Sequence, residues 1–291
     1  MKIKVSKSRI AFNIVNYILL FIIMAVTLYP VLHVLASSVS GYTYIAQGKI
    51  TIFPMGFNIR AYERVAQFPM IWRSYANTVF YTVAGTAINI VMTAMAAYPI
   101  SRQRFFGQRF MSLLIVFAML FNAGTIPTFL MVNNLGMYDT VWSIIIPGAV
   151  SSFNVILLKN FFAQIPVSLE ESANLDGASQ MQILFRIFLP LSKPGLMTVA
   201  LFYAVGHWNS YFSAMLYLQR RELVPLQIVL RDIVINSDMS EFAIDSASAV
   251  DQIGESIKYA TIMFATLPIM FVYPFVQKYF VKGIMVGSVK G

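Results

Sequence analysis

The sequence predicts an all-α integral membrane protein with six transmembrane helices and both termini on the cytoplasmic side. Three observations carry that fold class. Of 291 residues, 58% are hydrophobic and only 11% charged, against roughly 25% charged in soluble domains, and the mean hydropathy is +0.70. The apolar residues gather into six runs (10–35, 76–100, 111–132, 140–162, 195–218 and 259–279), each near the roughly 20 residues a helix needs to cross a bilayer. Basic residues also alternate between the two sides. With the N-terminus inside, segments 1–9, 101–110, 159–194 and 278–291 hold 13 of the 21 Lys and Arg residues but only Glu170, Glu171 and Asp176 of the 12 acids. The inner side is then +10, and the remaining 8 bases and 9 acids leave the outer side at −1, as the positive-inside rule requires.

The elements follow in order. Lys2, Lys4, Lys7 and Arg9 precede the first run, and Val34-Leu35-Ala36 resembles a signal-peptide cleavage site. Its apolar core is far longer than the roughly 7–15 residues of a signal h-region, so an uncleaved first span is expected. An outer loop, 37–73, carries Lys49, Arg60, Arg64 and Arg73 against Glu63. The second run leads to a short basic inner loop with Arg102, Arg104 and Arg109. Asn122 and Thr125 are polar residues within the third run; Asp139 and Lys159 sit at the ends of the fourth, which holds Ser151 and Asn154. A polar inner loop, 166–194, precedes the fifth run. The second outer loop, 219–255, carries seven acids against three bases, and its Leu226, Val229, Leu230, Ile233 and Val234 recur at helical spacing. That pattern predicts an amphipathic helix packed on the outer mouth. The expected organisation is an N-terminal part, 1–70, a permease-like domain, 71–282, and a cytoplasmic tail, 283–291.

The chemistry in these runs is sparse. His33 and His207 are the ionisable residues inside them, each a hydrogen-bonded structural histidine or, alternatively, a proton carrier. Ion-driven transporters usually place carboxylates or basic groups in their core, although backbone carbonyls at broken helices also bind sodium. There is no Gly-rich phosphate loop, no HExxH, no GxSxG, and no cysteine, so no catalytic residue, metal site or cofactor is assigned. The +9 net charge follows from topology and needs no nucleic-acid partner. If transport is powered, the energy source lies in another polypeptide.

The inner loop has the densest local signals. Ser168 followed by Glu171 fits a capping box, opening a short helix 169–176 that stops at Gly177. Ser179 with Gln182 fits a second cap, for a helix running to Leu189 before Pro190 and Pro194. Small residues in the turn 174–179 (NLDGAS) permit close approach of a partner. Well-capped connecting helices are the simpler reading.

Here a resemblance becomes specific. Glu171-Ser172-Ala173, Asp176-Gly177-Ala178 and Ile187-Phe188-Leu189-Pro190 resemble the EAA loop of bacterial ABC import permeases, with Ser172 where alanine is usual. In that family the loop is a coupling helix seated in a cleft of a cytoplasmic ATPase. The resemblance therefore implies an ATPase-coupling site comprising Glu171, Ser172, Ala173, Asp176, Gly177, Ala178, Ile187, Leu189 and Pro190, with Glu171, Asp176 and Gly177 facing the ATPase. Segments 121–136 (FNAGTIPTFLMVNNLG), 208–218 (WNSYFSAMLYL), 223–232 (LVPLQIVLRD) and 280–291 (FVKGIMVGSVKG) are similar to the carbohydrate branch, in the group of the second permease subunit. Ser210, where many sugar permeases have an acid after Trp-Asn, points to the subgroup for oligosaccharides of complex polysaccharides.

The resemblance implies a type I importer permease fold in the bacterial cytoplasmic membrane. It implies as partners a homologous second permease, two ATPase domains that bind ATP-Mg, an extracytoplasmic solute-binding protein meeting the outer loops, and a carbohydrate substrate. The tail 283–291, with Lys290, is implied to reach between the ATPases. Sugar recognition combines aromatic faces with amide and hydroxyl groups. Trp208, Asn209, Ser210 and Tyr211, with Asn122 and Asn154 at other depths, are the substrate-pathway candidates; interhelical hydrogen bonding is the alternative for each. A permease for another solute, or an ion-coupled secondary transporter, are the competing functions.

Overall fold

Long runs of strong helix formers give long helices only where Gly, Pro and Asn do not cluster, and this rule shapes the whole chain. The computed structural model describes residues 6–102, 106–234, 256–272 and 274, and every regular element among them is helical. In order these are α1 (Lys7–Ser38), α2 (Tyr42–Ala46), α3 (Arg60–Gln67), α4 (Pro69–Ile100), α5 (Gln108–Leu120), α6 (Thr125–Asn134), α7 (Trp142–Ile145), α8 (Ser152–Phe162), α9 (Val167–Leu175), α10 (Gln180–Ile183), a π-turn (Leu184–Phe188), α11 (Leu189–Leu191), α12 (Lys193–Trp208), α13 (Phe212–Tyr217), a 3₁₀ turn (Arg221–Leu223) and α14 (Leu226–Val234), then α15 (Ser256–Val272). The tail 283–291 and the acidic stretch 235–255 lie outside the described residues, as does the end of the sixth predicted run.

Two predicted runs are unbroken helices of spanning length. α1, capped by the Ser6 hydroxyl accepting from the Arg9 amide, has 32 residues, about 48 Å at 1.5 Å per residue. None of its most apolar stretch is buried within the chain. α4 also has 32 residues.

The third, fourth and fifth predicted runs, each expected as one spanning helix, are broken. The third is two helices, α5 and α6, bent by 114°. At this break the Asn122 carboxamide accepts from the Gly124 amide, 2.9 Å, and Gly124 has a φ of 90°. The fourth breaks between α7 and α8 at Pro147-Gly148, and Ser151 caps α8 by accepting from the Asn154 amide. The fifth breaks between α12 and α13, where Asn209 turns its side-chain amide back to the Val205 carbonyl, 2.9 Å. That side chain competes with the helix for a backbone acceptor.

The chain forms two units. In the first, the described parts of Met1–Pro69 and Leu230–Leu267, a hydrogen-bonded knot closes the outer end of α1. The Ser40 hydroxyl donates to the Ala36 carbonyl (2.6 Å) and accepts from the Met55 amide (3.1 Å). Tyr62 donates to Ser38, 2.8 Å. His33 bonds through Nδ1 to the Thr51 carbonyl, 3.0 Å, and stands edge-on to Tyr259, which is a structural role.

In the second unit, formed by the described parts of Met70–Val229 and Pro268–Gly291, α4 is the central mast. Its buried residues Ser74, Thr78, Tyr81, Gly85, Asn89, Thr93, Ala97 and Ile100 form one stripe at helical spacing. Tyr81 joins an apolar cluster with Val132, Ile144, Ile145, Ala214 and Tyr217. Ala97 and Ile100 join another with Leu158, Phe162, Ile183, Phe188 and Val199. Between them Asn89 donates to the Gly148 carbonyl, 2.6 Å, and its Oδ1 lies 2.8 Å from His207 Nε2. Since the Asn89 NH₂ is already a donor to Gly148, its oxygen accepts, and the His207 proton sits on Nε2. One turn further along α4, Thr93 bonds to the Tyr203 hydroxyl, 2.7 Å, which accepts from the Ser151 amide, 2.9 Å. The carbonyl and amide released by the α7–α8 break are thus satisfied by side chains, as an apolar environment demands. Gly85 makes room for this, since a Cβ there would lie 2.5 Å from His207 Nε2.

Gly85→Val is expected to lower stability by about 1–3 kcal/mol through overpacking. Asn89→Leu is expected to cost about 1–3 kcal/mol for each polar group it orphans. Both appear as a lower melting temperature of the detergent-solubilised protein.

Candidate functional site

The inner loop begins where α8 ends at Phe162 and Pro166 takes the N-cap position of α9, without a side-chain cap. This corrects the Ser168 capping box. Proline fixes its own φ and suits a helix start, so α9 begins at Val167 and Ser168 falls inside the first turn. The other end agrees with expectation. Gly177 has a φ of 79°, its amide donates to the Asn174 carbonyl (3.1 Å), and the Ala178 amide donates to the Ala173 carbonyl (2.9 Å). These two bonds are a complete Schellman stop, which needs a left-handed residue at the position of Gly177. Ser179 and Gln182 then form a reciprocal capping box, at 3.3 Å and 2.8 Å. The helix continues through the π-turn to Leu191, past the expected end at Leu189; the π-turn lies directly before α11, where Pro190 supplies no amide to the ladder. At Ser192 it bends by 88° into α12.

This closure gives the loop two faces. Ala173, Ala178, Ile187 and Leu189 pack against the apolar cluster around Phe162 and Phe188. Glu171, Ser172, Asp176, Gly177 and Pro190 are exposed. Leu175, at the tip, is 90% exposed.

Beneath α9 lies a cavity of about 880 Å³ whose lining includes Tyr98, Arg102, Glu170, Glu171, Asn174 and Gln180. Arg102, just beyond the inner end of α4, has Nε 2.9 Å from Glu170 Oε2, with only 11% and 16% of the two side chains exposed. It is a charge contact more than an aligned hydrogen bond, since Arg102 Nε has no hydrogen-bond partner. Arg102 Nη1 donates to the Ile165 carbonyl, 3.3 Å, and the guanidinium carbon sits 4.4 Å over the Phe188 ring. Phe188 is fully buried, edge-on to Tyr98 at 4.7 Å and Phe162 at 5.5 Å. Tyr98 donates to Gln180 Oε1, 2.7 Å, and Gln180 donates to Asn174, 3.1 Å. Removing one partner from so enclosed an ion pair costs roughly 3–5 kcal/mol. The sequence assigned Arg102 to topology alone and gave Glu170 and Leu175 no role; their pairing and exposure are tertiary facts without a local signal.

The pathway candidates share one placement: all lie at, or within a turn of, a helix break. Trp208 is buried at the end of α12, edge-on to Tyr75 at 5.9 Å, with its indole N–H unpartnered. Asn209 and Ser210 form the α12–α13 break with Tyr211, which precedes α13. Asn122 occupies the α5–α6 break and is exposed. Asn154 is 4% exposed in the first turn of α8, with Oδ1 unpartnered. At the outer end, Asp139, itself at a φ of 55°, accepts from the Gln219 and Arg220 amides (2.9 and 3.0 Å) and from Arg220 Nε (2.9 Å). Arg220 Nη2 also donates to the Asp139 carbonyl. Asn77 and Tyr81 on α4 bond the carbonyls of Glu222, Val224 and Leu223.

Comparison with known proteins bears on this arrangement. Residues 89–286 match the family described as binding-protein-dependent transport system inner membrane component. The chain is 43% identical to the protein LplC of Bacillus subtilis, over 98% of this chain and 97% of the relative. It is also 43% identical to the polygalacturonan/rhamnogalacturonan transport system permease protein YtcP of the same organism, over 96% and 97%. The fold is similar to that of a bacterial ABC transporter involved in the import of the acidic polysaccharide alginate, with a TM-score of 0.88 at 37% identity, over 96% of this chain and 100% of that one. The chain belongs to the binding-protein-dependent transport family and is a multi-pass inner-membrane protein with the permease fold of type I ABC importers.

Backbone amides of Arg220 and Gln219 hold the Asp139 carboxyl below the usual carboxylate range. A depressed folded-state pKa contributes stability above the ordinary carboxylate pKa, lost as pH falls through the folded value. Asp139→Asn is therefore expected to flatten the acid limb of melting temperature against pH and to lower the melting temperature at neutral pH.

Proposed function

We propose that this chain, as a member of that family, is one of two homologous permeases in an ATP-driven importer of oligosaccharides, specifically those released from acidic polysaccharides. The observation that carries the coupling role is the two-faced inner loop: a Schellman-closed, capped turn with its alanines on the core and Leu175, Glu171 and Asp176 outward. Such a surface suits a cleft on a cytoplasmic ATPase. ATP with Mg belongs to the two ATPase subunits, and this chain hydrolyses nothing. The exposed apolar flanks of α1 and α5 suit cover by lipid and by the second permease, and the outer loops suit a solute-binding protein.

The mechanism follows from packing. Closure of the ATPases displaces α9. The apolar cluster passes that displacement to α4, α8 and α12, while the three helix breaks supply joints at which the pathway residues Trp208, Asn209, Ser210, Tyr211, Asn122 and Asn154 change exposure. Docking alone shifts nothing; the ATPase must grip α9 differently in the two states. Two relatives support the acidic substrate class, one named for polygalacturonan and rhamnogalacturonan and the other described by alginate import.

The test is the reconstituted complex in lipid vesicles. Binding protein loaded with a uronate oligosaccharide is expected to stimulate ATP hydrolysis and uptake; a neutral glucan of equal length is not. Failure of every oligosaccharide would sink the sugar reading, and uptake on an ion gradient without ATPase subunits would sink the ATP-driven one. Glu171→Lys and Gly177→Pro are expected to insert normally and lose co-purifying ATPase. Unchanged complex formation and transport would overturn the coupling assignment.

A further inference from the structure

We infer that Arg102 is the positioning residue through which the coupling loop drives α4; the inference rests on the coupling role proposed above. One guanidinium reaches three separate segments of the loop. It contacts the turn before α9 at the Ile165 carbonyl, α9 itself at Glu170, and the π-turn after it at the Phe188 ring. All three contacts converge on the residue two positions beyond the end of the longest helix in the second unit. Tyr98, one turn earlier on α4, adds a fourth link through Gln180 to Asn174.

The apolar contacts of the loop transmit displacement with less directional constraint. Ala173 and Ala178 are small and the apolar packing that passes displacement to the cluster is non-directional, so it fixes the loop's register on α4 less than a charged contact does. The rigid, planar guanidinium lies 2.9 Å from a carboxylate oxygen, 3.3 Å from a carbonyl and 4.4 Å over a ring face, so a shift of any one of the three loads its contacts with the others. Displacement of α9 therefore carries Arg102 with it, and Arg102 carries the foot of α4. Midway along the same stripe, between the two apolar clusters, Asn89 grips the α7–α8 break directly and Thr93 grips it through the Tyr203 hydroxyl. Glu170 is thus the inward member of the acidic pair, and Glu171 the exposed one.

The test uses the full complex in vesicles and reads the ratio of ATPase rates with and without loaded binding protein. Arg102→Met is expected to assemble and to lower that ratio by about fivefold or more, the lower end of ordinary coupling between sites. Arg102→Lys, which keeps charge but loses the fork, should fall between. The exchange Arg102→Glu with Glu170→Arg should recover part of the ratio. A residue that merely stabilises the fold would reduce the yield of complex and leave the ratio at the wild-type value, and that result overturns the inference. If Arg102→Met does not assemble, Glu170→Gln decides by the same ratio, where a fall supports the inference and a wild-type value overturns it. A wild-type complex without stimulation defeats the proposed function and this inference together; a stimulated wild type with indistinguishable variants defeats this inference alone.

Discussion

A backbone amide or carbonyl released inside a bilayer must find its partner in the protein, because lipid offers none. That constraint organises the second unit. The chain breaks between α7 and α8 at Pro147-Gly148, and the groups freed there are bonded by Asn89 on α4 and Tyr203 on α12. His207 and Thr93 hold those two side chains in turn. His207 is thereby a hydrogen-bonding partner, and His33, in the first unit, bonds the Thr51 carbonyl. The network also ties α4, α8 and α12 to one another at the level where helix continuity is lost, so the break is a defined joint.

The same mast explains how a loop at the membrane surface can matter at depth. α4 carries an outer apolar cluster, the polar staple, an inner apolar cluster and, just past its end, Arg102. The inner loop meets it with its alanines and with Glu170, while Leu175 and Glu171 stay exposed. A motif that reads as one string of residues is therefore two sets with different work. Ala173, Gly177 and Ala178 shape and seat the turn; Glu171, Leu175 and Asp176 face outward. On the proposed coupling role, substitutions in the first set act through geometry and those in the second through contact with the ATPase.

What was legible in the sequence was local. Helical class, the Gly177 stop and the Ser179–Gln182 cap each depend on residues within a turn or on composition. The amphipathic pattern from Leu226 to Val234 is likewise a helix, with Leu226, Val229 and Ile233 buried. Hydropathy over a long window averages across Asn122-Ala123-Gly124, Pro147-Gly148 and Asn209-Ser210, so three runs that read as single spans are broken. The dipeptides were visible, but their effect depends on whether side chains elsewhere satisfy the opened backbone. Ser168 had the spacing of a cap and lost the position to Pro166. The Arg102–Glu170 pair joins segments far apart in the chain and leaves no periodic trace. The pathway residues were chosen by chemistry alone; that they gather at the helix breaks is a property of the fold.

The central claim is that the tip of the inner loop seats in a cytoplasmic ATPase. The chain contains no cysteine, so one introduced thiol reports unambiguously. Leu175→Cys in the assembled complex should cross-link to an ATPase subunit with a short bifunctional reagent, with a yield that changes when ATP is bound. A thiol placed at Glu222, on the opposite side of the chain's topology, should not. Absence of the Leu175 cross-link in a complex that still transports, or equal yields from both positions, would contradict the account.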